Sequence, residues 1–63
     1  MTTNRKRQRV ITAETISEHE LLALRREGNF YARVALETRF VTERTRQDAR
    51  RRCAEELNAR RSA

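Results

Sequence analysis

Seven arginines fall within residues 44–63 of this chain: Arg44, Arg46, Arg50, Arg51, Arg52, Arg60 and Arg61. A guanidinium is planar and permanently charged, and it presents its N–H donors in pairs, so it grips a phosphate or carboxylate with two hydrogen bonds at once. Four more cations, Arg5, Lys6, Arg7 and Arg9, stand in residues 1–13 with no acid among them. Residues 14–43 hold four arginines against six glutamates. The formal charge therefore runs +4, −2 and +4 along the chain, and the net +6 belongs to the two ends. Coding bias explains why fourteen of the fifteen basic residues are arginine, but not why they cluster. The clustering points to a polyanion, with DNA expected before RNA. The expected contact residues are Arg5, Lys6, Arg7, Arg9, Arg44, Arg46, Gln47, Arg50, Arg51 and Arg52, with Arg46, Gln47, Arg50 and Arg51 the candidates for reading bases.

Other chemistry is sparsely represented. The chain has one His, one Cys and one Gly in 63 residues. It has no glycine-rich phosphate loop and no nucleophile with a base at helical spacing, so no enzyme activity and no cofactor are expected. His19 and Cys53 are too few for a structural zinc site, and a lone cysteine forms no internal disulfide. Cys53 reads as a small packing residue and His19 as an exposed residue of a helix's first turn. The longest apolar run, Leu21-Leu22-Ala23-Leu24, is far too short to span a bilayer. A cytoplasmic protein without membrane contact is the expectation.

The elements that must carry these arginines read as helices. Ser17 followed by Glu20 is a capping box, flanked by Ile16 and Leu21 at the spacing of a hydrophobic staple. Thr15 and Glu18 offer a competing start two residues earlier. The first helix should run over 17–27, end at Gly28, and be followed by a second capped by Asn29. From Phe30 onward there is no Gly or Pro, which predicts one long helix over 30–59. The expected class is thus all-α: a helical hairpin core over 14–43, a basic helix over 44–63, and a flexible basic arm over 1–13.

About 60 residues make a marginal domain, which favours an oligomer. On a continuous helix Phe30, Val34 and Val41 form one apolar stripe, with Leu36 and Phe40 nearly opposite. Phe30, Val34, Leu36, Phe40 and Val41 are therefore the expected faces of a homodimeric bundle. Tyr31 flanks the stripe. Beyond Val41 only Leu57 is a large aliphatic residue, so the last segment has little to bury.

Three local resemblances bear on function. Arg44-Thr45-Arg46-Gln47-Asp48-Ala49-Arg50-Arg51-Arg52 resembles the arginine-rich helix of lambdoid N-type antitermination proteins, which implies binding to an RNA hairpin. Leu36 to Arg46 resembles the turn and recognition-helix start of bacterial helix-turn-helix repressors, with Val41, Thr42 and Thr45 in the matching places. It departs from that pattern at Phe40, and at Arg39 and Arg46 where aliphatic residues lock the two helices. Arg9-Val10-Ile11-Thr12, followed by two helices, is similar in order to a ribbon-helix-helix dimer. A rival reading from another class is a protein-binding adaptor or inhibitor whose basic helix docks on an acidic partner. The plainest alternative for the arginines is a solvated helix with i, i+4 pairs: Asp48 to Arg52, Arg51 to Glu55 and Arg52 to Glu56.

Overall fold

The computed structural model describes residues 10–62 and is all-helical there: α1 (Glu18–Arg26), α2 (Phe30–Leu36) and α3 (Glu43–Ser62). The arm cations Arg5, Lys6, Arg7 and Arg9 lie outside the described residues.

Both ends of α1 follow from local side-chain chemistry. The Ser17 hydroxyl accepts the Glu20 N–H at 3.0 Å, and the Glu20 carboxylate accepts the Ser17 N–H at 2.9 Å. Two donors that the helix start leaves without partners are thereby satisfied. Thr15 is occupied elsewhere, its Oγ1 accepting the Thr12 N–H at 2.9 Å in the preceding turn. Ile16 and Leu21 are both buried, as the staple requires. At the other end Gly28 donates to the Arg25 carbonyl at 2.9 Å and Asn29 to the Leu24 carbonyl at 3.1 Å. This is the Schellman pattern, and it needs the positive φ of +91° that Gly28 adopts. The Asn29 Oδ1 then accepts the N–H groups of Tyr31 and Ala32 at 2.9 and 3.2 Å and starts α2.

The long helix expected over 30–59 is interrupted. α2 stops at Leu36 and α3 begins at Glu43. Of the five residues Thr38 to Thr42, four are β-branched or aromatic, types that lose side-chain freedom in a helix. The termini are also capped from within. The Glu37 carboxylate accepts the Thr38 and Arg39 N–H groups, and the Thr42 hydroxyl accepts the Thr45 N–H at 3.2 Å. Across the gap the Arg46 guanidinium donates to the carbonyls of Glu37 and Val41 at 3.4 and 3.5 Å.

The break lets α3 fold back on α2 over small side chains. Ala32 and Ala35 of α2 and Ala49, Cys53 and Ala54 of α3 are all buried. Ile16, Leu21 and Leu24 complete the core, with Ile11, Val34, Leu36 and Leu57 packed against it. The segment expected to have little to bury is thus the spine of the domain, because alanines serve as well as leucines where two helices approach closely. Phe30 and Tyr31, placed by the continuous-helix stripe on or beside an apolar face, are exposed within this chain.

Residues 10–16 form a strap along α3 and are not a strand; the described residues contain none. Asn58 accepts the Ile11 N–H at 3.0 Å and donates to the Ile11 carbonyl at 2.8 Å. These are the two backbone groups a ribbon would need for pairing across a two-fold. Further along, Arg50 donates to the carbonyls of Ala13 and Ile16 at 2.9 and 3.1 Å. A last tie joins α3 to the end of α1: Arg60 bonds Glu27 and, with that hydrogen bond as the main cause, holds its carboxyl below the usual value. That tie is fully in force above the ordinary carboxylate range and is lost as pH falls through the lowered value.

Two outcomes follow for stability. Charge-assisted hydrogen bonds contribute about 1.5–3 kcal/mol each. Arg50→Ala, which leaves two part-buried carbonyls without their donor, should lower urea stability by about 2 kcal/mol or more. Burial pushes the Cys53 thiol up from its ordinary value; Glu56 acts in the same direction and Arg50 opposes it. Cys53 should therefore resist a thiol reagent at pH 8 in the folded chain, with labelling following the unfolding curve in urea.

Candidate nucleic-acid interface

The helical repeat divides the arginines of α3 into two sets. At 100° per residue, Ala49, Cys53 and Leu57 point to one side, and Arg46 and Arg50 share it. Arg44, Gln47 and Arg51 fall within about 60° of one another on the opposite side, with Glu55 and then Asp48 just beyond them. The basic segment over 44–63, read in the sequence as one unit, is therefore split by the core.

The inward set is structural. Arg50 commits its Nε and one terminal nitrogen to the strap carbonyls. Arg46, whose side chain is only 21% exposed, bridges the link between α2 and α3 and also pairs with Glu43. Arg46 stands where the helix-turn-helix pattern wants an aliphatic lock. It performs a locking role by donating to the Glu37 carbonyl, left open at the end of α2, and to the Val41 carbonyl of the link.

The outward set is engaged more loosely. Arg51 pairs with Asp48 at 2.6 Å and with Glu55 at 3.4 Å, and Arg52 pairs with Asp48 at 3.1 Å. The expected pair of Arg52 with Glu56 gives way to one between Arg60 and Glu56 at 3.3 Å. Arg52 also lies over the Tyr31 ring, 5.0 Å from its centroid. Gln47 donates to Glu43 at 3.1 Å. Arg44 is exposed and has no acidic partner among the described residues. Exposed ion pairs of this kind contribute little and exchange readily, so a phosphate can displace a carboxylate from Arg51 or Arg52. Asp48 is the pivot of this face: hydrogen bonds from Arg51 and then Arg52 hold its carboxyl below its ordinary value.

Eleven arginines against nine acids leave the described residues at only +2, so the arm contributes +4 of the total. Ile11 is clasped by Asn58, and Asn58 falls in line with Gln47 and Arg51 on the outward side of α3. Asn58 was not legible as a functional residue from sequence, because its partner lies 47 positions away and no local motif marks it.

Compared with protein-family models, curated proteins and solved structures, the chain finds no match.

If Asp48 restrains two arginines, Asp48→Asn should shift elution from a heparin column to higher salt, and by more than Glu14→Gln. The second change removes the same charge from a residue that holds no arginine. Equal shifts would mean that only net charge matters.

Proposed function

We propose that this chain is a small nucleic-acid-binding protein, with duplex DNA the expected polymer, acting as a regulatory or accessory factor without catalysis. The observation that carries the reading is the exposed row of Arg44, Gln47 and Arg51 on α3, separate from Arg46 and Arg50, which are spent on backbone carbonyls. Arg5, Lys6, Arg7 and Arg9, which lie outside the described residues, add four further cations to the chain. In this reading the two basic segments at opposite ends of the sequence bind together, α3 lying against the duplex and the arm following the adjacent backbone. Helices are the usual readers of the major groove, and basic arms commonly reach the neighbouring groove or phosphates.

Within this reading Arg44 and Arg51 meet phosphates or base edges, Gln47 is the neutral side chain suited to an adenine edge, and Arg52 contacts phosphate beside Tyr31. Arg46 and Arg50 support the helix that presents them.

The test is a salt titration of binding to duplex DNA and RNA hairpin pools. The wild-type chain is compared with one in which Arg5, Lys6, Arg7 and Arg9 are all Gln. Each phosphate neutralised adds about 0.9 to the slope of log affinity against log salt on duplex DNA. The wild type should bind DNA steeply, and the substituted arm should reduce the slope by about 3 to 4. Preference for the RNA pool would replace DNA by RNA. Failure to bind either polymer at low salt would overturn the reading and direct the arginines to an acidic protein surface.

A further inference from the structure

The core of small side chains leaves every aromatic ring outside it. The chain has two Phe, one Tyr and no Trp, and Phe30, Tyr31 and Phe40 are 62%, 41% and 85% exposed. A packed aromatic ring buries about 150–250 Å², so a domain short of large core residues forgoes its largest available hydrophobic gain. The rings stand instead among arginines. The guanidinium carbon of Arg52 lies 5.0 Å from the Tyr31 ring centroid, and that of Arg39 lies 6.0 Å from the Phe40 centroid. Phe30 meets Tyr31 edge to face, with centroids 5.7 Å apart. It also lines an open groove of about 550 Å³, with Val34 and Val41 beside it and Arg25, Arg33 and Glu37 in the walls. That volume falls in the roughly 300–1,000 Å³ range of sites for small ligands.

We infer that this groove holds an unpaired nucleotide of the bound nucleic acid, its base stacked on Phe30 and the phosphates beside it on Arg25 and Arg33. The inference rests on the nucleic-acid reading above and narrows its ligand to a duplex that carries an unpaired extension. Charge selects an anion. Arg25 and Arg33 have no acidic partner among the described residues. The carboxylate of Glu37 already accepts the Thr38 and Arg39 N–H groups at 3.1 and 3.3 Å. An entering phosphate therefore meets two open guanidinium groups and one carboxylate that is engaged with the link. The exposed ring selects a base. Inside a duplex the bases stack on one another and offer no face, whereas an unpaired base has a flat apolar face to lay on an aromatic side chain. A wholly apolar occupant would leave both arginines without a partner, and a bare phosphate would leave Phe30 in water. Continuity with α3 points to the same ligand. Arg52 belongs to the outward set, paired with Asp48 at 3.1 Å, and it covers the Tyr31 ring that touches Phe30. Cation and ring thus run without a gap from the proposed duplex face to the groove, and arginine against an aromatic ring is itself a stacking surface for bases.

The test compares three labelled oligonucleotides of the polymer that the wild type prefers. One is a blunt duplex, one is the same duplex with a short pyrimidine extension, and the third has abasic sites in place of the bases of that extension. The two extended forms carry equal phosphate charge and differ only in having bases to stack. The wild type should bind the pyrimidine extension about ten-fold more tightly than the abasic one, as stacking of one base on an aromatic ring provides. Phe30→Ala should bring that ratio close to one while affinity for the blunt duplex and the helical circular dichroism stay as they were; Phe30→Tyr should keep the ratio. Arg25→Gln combined with Arg33→Gln should weaken both extended forms alike, lowering their salt slopes by about 1.4, or about 0.7 for each single-strand phosphate released. Equal wild-type affinity for the pyrimidine and abasic extensions overturns the inference and leaves the duplex reading standing. A ratio that survives Phe30→Ala overturns it as well and moves the stacking to another ring. Absence of binding to all three forms overturns this inference together with the reading on which it rests.

Discussion

Close approach of α2 and α3 is the constraint on which the rest of the domain depends. Ile16, Leu21 and Leu24 are the only large aliphatic side chains buried among the described residues. The remaining buried positions are alanines and Cys53, which fill space only if the helix backbones come near each other. That approach requires α3 to turn back on α2. It also sets which side of α3 faces inward, and hence which arginines meet carbonyls and which meet water.

A core of small side chains yields little hydrophobic stabilisation per residue, and the polar ties of the structure offset that shortage. Arg50 and Asn58 hold the strap, Arg46 holds the link, and Arg60 joins the last turns of α3 to Glu27. Arginine serves here both as a structural donor to carbonyls and as a surface cation. The two uses separate by helical phase, which places Arg46 and Arg50 on the Ala49–Cys53 side and Arg44 and Arg51 away from it. A basic segment read as one functional unit is thus two, with different demands: the inward arginines need geometry, whereas the outward ones need only charge and access.

Much of the first half was legible residue by residue. The Ser17–Glu20 box, the Ile16–Leu21 staple, the Gly28 terminus and the Asn29 cap are all short-range patterns, each settled by hydrogen bonds within a few positions. The break before Glu43 left a fainter trace. Thr42 is a cap residue in a run of poor helix formers, yet with no Gly or Pro nearby the helical pattern carried straight through it. The apolar stripe drawn across that break joined Phe30 and Val34 to Val41 on a cylinder that does not exist. The same error placed Phe30 and Tyr31 on or beside a buried face.

What the sequence determined by itself was the helical class, the ends of α1, the start of α2, and the segregation of charge into two terminal segments. These rest on local hydrogen bonding and on composition, which act over one or two turns and need no distant partner. Tertiary structure alone decided the course of residues 10–16, the division of the α3 arginines and the exposure of Phe40 on the link. Each of these depends on pairs such as Ile11 with Asn58 or Ala13 with Arg50, separated by 47 and 37 positions. Such pairs form only after the chain has reversed at the link, and no periodicity within a single helix encodes that reversal.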